Sequence, residues 1–280
     1  MQLKKKKKSV FQEALNMELR EHKSTFRVYN VFRIITTLLM IGCFISKNYE
    51  SGFLCILTLA LLLLPSFFQV ALKVELPTVL EVILLCFAFA AENLGEIFEF
   101  YIIFPICDTI LHTLNGFLAA AIGFSLVDLL NKSDKLVFDL SPLFTVIVAF
   151  CFSMTIGVIW EFFEFGMDQF FGLDMQKDTI IHSISTVALD PSGGNARQAI
   201  QNITDVVING ESLGLGGYLD IGLIDTMGDL IVNFIGAAVF SVLAYVYVKT
   251  RGKRTVVSKF VLKKKDEDKD YLKIAQDQEN

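Results

Sequence analysis

Charge is scarce along most of this chain. Charged residues make up only 20% of its 280 residues and several long runs contain almost none, whereas hydrophobic residues make up 53%. That balance excludes an ordinary soluble domain and is typical of a multi-pass membrane protein. Cysteine is scarce as well. The five cysteines stand singly in apolar sequence, which favours packing roles over disulfides or thiolate metal sites: Cys43, Cys55, Cys86, Cys107 and Cys151.

A membrane-spanning helix needs about 20 apolar residues to cross a hydrocarbon core about 30 Å thick. Six runs of this kind predict an all-α fold, a polytopic membrane helix bundle with about six transmembrane helices. The runs lie at residues 28–45, 52–72, 76–95, 109–130, 142–160 and 226–248. Pro65 is expected to kink the second helix and Pro77 to open the third. Glu81 is expected to lie near the inner surface and face water.

Lysine and arginine cluster outside the two ends of this set of runs. Short basic flanks stay on the cytoplasmic side, so both termini are predicted to be cytoplasmic, at the plasma membrane. No secretory signal peptide is evident, and the first run is expected to remain as an anchor. By composition, the chain divides into a basic amphipathic N-terminal segment, two peripheral helices, three further helices, a small extracytoplasmic cap, a sixth helix and a charged cytoplasmic tail: residues 1–27, 28–75, 76–165, 166–224, 225–248 and 249–280.

The two polar segments at the N-terminus and in the cap have patterns of their own. The lysine run at 4–8 predicts contact with anionic membrane lipids rather than with nucleic acid. Apolar residues then recur at helical spacing from Phe11 to Phe26, which suits a helix on the inner membrane surface; a disordered basic tail is the alternative. In the cap, residues 197–208 have helix-compatible spacing at Ile200, Ile203 and Val207.

Two hydrophobic segments end in a paired-glutamate box, and each is followed by a segment that opens on Asp-Thr. The first copy contains Glu96 and Glu99, then Asp108 and His112; the second contains Glu161 and Glu164, then Asp225 and Asp229. The segments that follow, 117–121 and 234–238, align without a gap. A duplicated helix hairpin is the simplest explanation. Residues three or four apart share a helix face, so four local pairs are predicted at the outer end of the bundle.

Carboxylates at membrane depth need compensation, and the local sequence offers no lysine or arginine to supply it. They are therefore expected to point into the bundle and either share protons or bind a cation. Carboxylates with an imidazole are the ligand set of a divalent metal ion, Mg, Mn, Fe or Zn. The candidate ligands are Glu96, Glu99, Asp108, His112, Glu161, Glu164, Asp225 and Asp229.

A metal ion at this site could activate water against an ester or phosphate of a lipid-linked or small envelope substrate. The candidate catalytic residues are Glu164, Asp108 and His112, with Glu164 as general base. Four residues of the cap could add ligands or substrate contacts: Asp168, Asp174, Asp178 and His182. This chemistry predicts a metal-dependent membrane hydrolase.

Three other interpretations stay open. The carboxylates could be protonated and act as interhelical hydrogen-bonding groups, with Thr109, Thr226, Asn115 and Asn233 as partners. A cation or proton-coupled transporter is favoured by the repeat and by acids at membrane depth, but it requires a polar route to the inner face. A non-catalytic membrane subunit whose cap docks a partner is the third.

The same motifs resemble those of the YjdF-like family of bacterial multi-pass membrane proteins. Its pattern is an Asp-x-x-x-His-x-x-x-Gly helix start, a Trp-Glu-x-x-Glu box and a final helix with two aspartates, in that order. Here these correspond to Asp108-His112-Gly116, Trp160-Glu161-Glu164 and Asp225-Asp229. Thr109 stands where arginine is expected and Ile224 where tryptophan is common. The resemblance covers roughly the last two-thirds of the chain and implies a membrane location more than an activity.

Overall fold

The computed structural model describes residues 9–21, 23–98, 100–104, 106–131, 140–250 and 256–279. In these residues, six spans are long and apolar enough to cross a membrane: Lys23–Ile45, Tyr49–Leu72, Thr78–Gly95, Ile106–Asn131, Pro142–Phe171 and Leu223–Lys249. The predicted polytopic helix bundle is confirmed. The fifth span continues well beyond Trp160, to Phe171, and no proline interrupts it.

The helices and strands follow one another in a simple order. The α-helices are α1 (Val10–Glu21), α2 (Lys23–Ile45), α3 (Tyr49–Leu61), α4 (Leu64–Leu72), α5 (Thr78–Phe89), α6 (Phe100–Ile103), α7 (Ile106–Asn131), α8 (Pro142–Phe171), α9 (Leu223–Lys249) and α10 (Tyr271–Glu279). A π-helix, Ala90–Ile97, continues α5, and 3-10 turns lie at Val256–Lys259 and Glu267–Lys269. The strands are β1 (Val74–Glu75), β2 (Thr179–Ile181), β3 (Ser183–Thr186), β4 (Gln198–Gln201), β5 (Val207–Ile208), β6 (Glu211–Ser212), β7 (Tyr218–Asp220) and β8 (Lys263–Lys264).

Two prolines set helix boundaries where the sequence predicts them. Pro65 lies in the first turn of α4, and the second span is interrupted between α3 and α4. Proline lacks an N–H and its ring crowds the carbonyl one turn earlier, so it is stable at a helix start and not in a helix interior. Pro77 is the N-cap of α5.

The chain forms two compact units, residues 1–157 with 232–280 and residues 158–231. In the first unit, small residues bring the backbones of α7 and α9 together. A Cβ added to Gly116 would lie 2.0 Å from the Asn233 carbonyl oxygen, and one added to Gly236 would lie 2.0 Å from that of Thr113. Around this crossing, Phe124 packs with alanines and with aromatic rings. Close backbone approach through small residues is a common way to pack membrane helices.

The described part of the charged C-terminal tail packs against α1 and β1 within the first unit. Strand β8 pairs antiparallel with β1, Lys264 opposite Val74, and α10 packs against α1. Ala275 is buried with Ala14 and Val70. The N-terminal segment is helical from Val10, which favours the amphipathic helix over the disordered tail for that stretch, while Lys4–Lys8 lie outside the described residues.

The expectation that Glu81 faces water is wrong. Glu81 is buried, and its Oε1 accepts a hydrogen bond from Gln69 Nε2 at 3.2 Å. Gln69 Oε1 in turn accepts from the Leu76 amide at 2.9 Å. The turn between α4 and α5 places these groups together, and no sequence period reveals such a contact.

The second unit contains the cap, which is built from short antiparallel pairs. Strand β2 pairs with β7, β3 with β4, and β5 with β6. The helix-compatible spacing at 197–208 is misleading, because Gln198–Gln201 is strand β4 and Val207–Ile208 is β5. In β4, Ile200 lies opposite Ile184 of β3. Apolar residues spaced three or four positions apart in a short segment do not exclude a strand. Here the pairing with a neighbouring strand determines the conformation.

Candidate carboxylate site

The site begins on α8, where Glu161 and Glu164 lie one turn apart on the same face. Both side chains are buried, with exposed fractions of 4% and 6%. The sequence of α8 contains no lysine or arginine, so the helix itself supplies no cation to them. Carboxylates in such a span are costly unless the fold gives them a partner.

Asp229 of α9 completes the cluster. It is 5% exposed, and one oxygen from each of Glu161, Glu164 and Asp229 lies within 4.8 Å of the other two. The three groups belong to the second unit. We call them the carboxylate triad.

The two oxygens of Glu164 differ in their surroundings. Trp160 Nε1 donates a hydrogen bond to Glu164 Oε1 at 2.8 Å. Oε2 is buried and has no hydrogen-bond partner among the described residues. A buried acceptor without a partner is rare in folded proteins, and it marks a position where a proton or a cation would be stabilised.

Three ionised carboxylates cannot remain this close without compensation. At 4.8 Å each pair of full charges repels by about 3 kcal/mol at the effective dielectric constant of about 20 that suits protein sites. Two remedies exist, namely protonation of part of the triad and a bound cation. The ligand chemistry of three oxygens suits a hard divalent ion, Mg²⁺ or Mn²⁺, better than a thiophilic one.

Two aspartates, one near the end of α8 and one in the first turn of α9, bind the backbone at the start of the cap. Asp168 accepts hydrogen bonds from the amides of Met175 and Gln176 at 2.6 and 2.8 Å. Asp225 Oδ2 accepts from the Lys177 amide at 2.8 Å. Asp168 was expected to add a ligand or a substrate contact; in this structure its carboxylate binds backbone N–H groups. These bonds fix the chain as it leaves α8 relative to the first turn of α9.

Of the other candidate residues, Asp108 and His112 belong to the first unit and His182 to the second. In the first unit, His112 Nε2 lies 3.5 Å from Asp108 Oδ1, one helical turn away, as the spacing predicts. The side chain of Glu96 and the whole of Glu99 lie outside the described residues. His182 is exposed in the cap, where its Nδ1 lies 3.0 Å from the Ile203 carbonyl oxygen. Their roles as ligands stay predictions.

Acidic groups of the cap influence one another. Burial raises the pKa of Asp178, and the nearby charges of Asp174, Asp168 and Asp220 raise it further. Such a group of acids repels anions and attracts cations to this part of the second unit.

Asn115 and Asn233, which the sequence offers as hydrogen-bond partners of the carboxylates, form a hydrogen bond with each other. In the first unit, Asn115 Nδ2 donates to Asn233 Oδ1 at 2.9 Å. Ser153 Oγ donates to the Gly116 carbonyl at 2.7 Å, a contact that the sequence did not reveal. Polar side chains therefore join α7, α8 and α9 in the first unit.

Comparison with known proteins identifies the family to which the chain belongs. No curated protein and no solved structure is similar enough to match the chain. A family described as a predicted membrane protein, DUF2238, matches residues 28–250, and it is the family of YjdF-like proteins. The match covers the first span from residue 28 onwards, the other five spans in full, and the carboxylate triad. The chain therefore belongs to the DUF2238 family of multi-pass membrane proteins.

Proposed function

We propose that the carboxylate triad binds a divalent cation, Mg²⁺ or Mn²⁺, and that the protein uses this ion on a substrate at the membrane. The observation that carries the proposal is the convergence of three buried carboxylates within 4.8 Å, one of them with an unpartnered oxygen. A divalent cation attracts all three charges at once, whereas one proton neutralises a single group and leaves the other two carboxylates to repel each other.

Trp160 supports this role by orienting Glu164. Its indole N–H occupies Oε1, so Oε2 is the oxygen left to bind the ion. A hydrogen bond from a second residue to a ligating carboxylate is common in metal sites and raises the precision of the geometry. The general-base role predicted for Glu164 requires that another carboxylate of the triad hold the ion instead.

The substrate class follows from the location of the triad. Glu161 and Glu164 lie within a candidate membrane span, which makes a lipid-linked phosphate or ester a better fit than a large soluble substrate. A divalent ion supplies Lewis acidity and lowers the pKa of water, which is the chemistry of phosphate and ester hydrolysis.

The test is Mn²⁺ binding to the full-length protein in lipid nanodiscs, followed by electron paramagnetic resonance. We expect one bound Mn²⁺ per chain, released by excess Mg²⁺. Glu164→Gln should weaken binding at least about 10-fold, since changes even to residues behind the ligands cost that much. Glu211→Gln removes the same charge from an exposed cap strand and should leave binding unchanged.

The outcomes separate the alternatives. Equal binding in the native protein and the Glu164→Gln variant refutes the metal site. If the native protein binds no Mn²⁺ but shows a carboxylic-acid C=O infrared band that Glu164→Gln removes, the triad holds protons, as the proton-coupled transporter requires. Cation uptake into proteoliposomes that depends on Glu164 supports a transporter in place of a hydrolase.

A further inference from the structure

A cationic cleft lies at the elbow where α1 ends and α2 begins, in the first unit. It has a volume of about 610 Å³, and the described residues that line it are Arg20, Lys23, Phe26 and Arg27, none of which is acidic. The three cations are exposed, and no described residue forms an ion pair with them. Arg27 Nε donates to the Lys23 carbonyl at 3.3 Å, which keeps these two residues of α2 side by side.

An exposed apolar stripe continues from the cleft along α2. Val31, Ile34, Leu38, Ile41 and Ile45 are 48% to 78% exposed and follow one another at intervals of three or four residues. Lys23 and Arg27 precede Val31 at the same spacing, so the cations and the stripe share one face of the helix. Of the six candidate spans, α2 is the least buried.

We infer that this face of α2 binds one anionic phospholipid. Its phosphate lies in the cleft against Arg20, Lys23 and Arg27, and an acyl chain lies along the apolar stripe. Guanidinium groups bind phosphate oxygens in a bidentate manner, and lysine adds a point charge. A zwitterionic headgroup carries a positively charged nitrogen, which the three cations would repel. The headgroup of phosphatidylglycerol has no such positive charge. Free phosphate can use the cleft but gains nothing from the stripe.

The experiment is native mass spectrometry of the full-length protein in detergent, titrated with phosphatidylglycerol. The double variant Lys23→Gln/Arg27→Gln should bind this lipid about 30-fold more weakly, because each cation near a membrane surface contributes roughly a factor of five. The matched control Lys259→Gln/Lys263→Gln removes two exposed cations from the C-terminal segment and should bind as tightly as the native chain. Both changes replace exposed side chains, and equal melting temperatures will show that the variants are folded.

Two further arms identify the ligand. Phosphatidylcholine with the same acyl chains should bind at least about 10-fold more weakly, and millimolar inorganic phosphate should not displace phosphatidylglycerol. Equal losses in the two double variants would mean that only the overall surface charge matters, which overturns the site. Displacement by inorganic phosphate would reassign the cleft to free phosphate, and equal retention of phosphatidylcholine would remove the headgroup role.

Discussion

The ion pair between Lys265 and Glu18 fastens the C-terminal segment to α1, and its removal should release that segment. Both side chains are 3% exposed, and Lys265 Nζ contacts Glu18 Oε2 directly. The same ammonium lies 4.9 Å from the centre of the Tyr271 ring. The Lys265 amide also donates to the Lys73 carbonyl at 3.1 Å. Lys265→Met therefore leaves the Glu18 carboxylate buried beside an apolar group while the backbone contact can remain.

The expected cost is large because one charge stays buried without its partner. Breaking a buried ion pair from one side costs about 3–5 kcal/mol, whereas replacing both partners with apolar residues is often neutral. A loss of about 3 kcal/mol raises the open population of the segment by roughly 100-fold. The double variant Glu18→Leu/Lys265→Met should recover most of this loss.

Hydrogen exchange measured by mass spectrometry on the nanodisc-embedded protein tests these values. Peptides from 256–279 should exchange about 100-fold faster in Lys265→Met, while peptides from α8 should not change. Lys263→Met, at an exposed residue of β8, is the control and should leave exchange unaltered. Unchanged exchange of α10 in Lys265→Met, or a double variant less stable than both single variants, would refute the reasoning.

Two further predictions concern packing and pH. Gly116→Val should lower the melting temperature, because the new Cβ would meet the Asn233 carbonyl oxygen and overpacking costs about 1–3 kcal/mol or more. Gly228→Ala is the control and should not lower it, because nothing lies within 4 Å of a Cβ at that position. Equal melting temperatures for the two variants would contradict the close crossing of α7 and α9. The Ala196 amide, among other donors, holds the pKa of Asp190 below its usual range. Asp190 therefore stabilises its turn above its unfolded pKa and loses this effect as the pH falls through its folded pKa, so carboxyl NMR should place its titration midpoint below that of an aspartate in an unfolded peptide.

Apolar run length was sufficient to locate the membrane spans. A stretch of about 20 apolar residues has few alternatives to a spanning helix, because a bilayer satisfies no backbone hydrogen bonds. The break at Pro65 was equally local in origin. Burial of Glu81 was not, because it depends on Gln69 from a different helix.

In the candidate site too, some features could be predicted from local sequence and others depend on tertiary contacts. Glu161 and Glu164 could be paired from their spacing alone, since three residues bring side chains to one helix face. Asp225 and Asp229 have the same kind of spacing, yet Asp229 joins the carboxylate triad while Asp225 accepts a backbone N–H from Lys177. The path of the chain as it leaves α8 makes that difference.

The amino-acid sequence by itself determined that this is a membrane helix bundle, because hydrophobic length and helical period act within a single segment. Tertiary structure decided which polar groups meet: the three carboxylates of the triad, the strand pairs of the cap, and Lys265 with Glu18. The physical reason is range. Local propensity extends over a few residues, whereas Lys265 and Glu18 are 247 positions apart and meet only because the folded chain brings α1 and the C-terminal segment together.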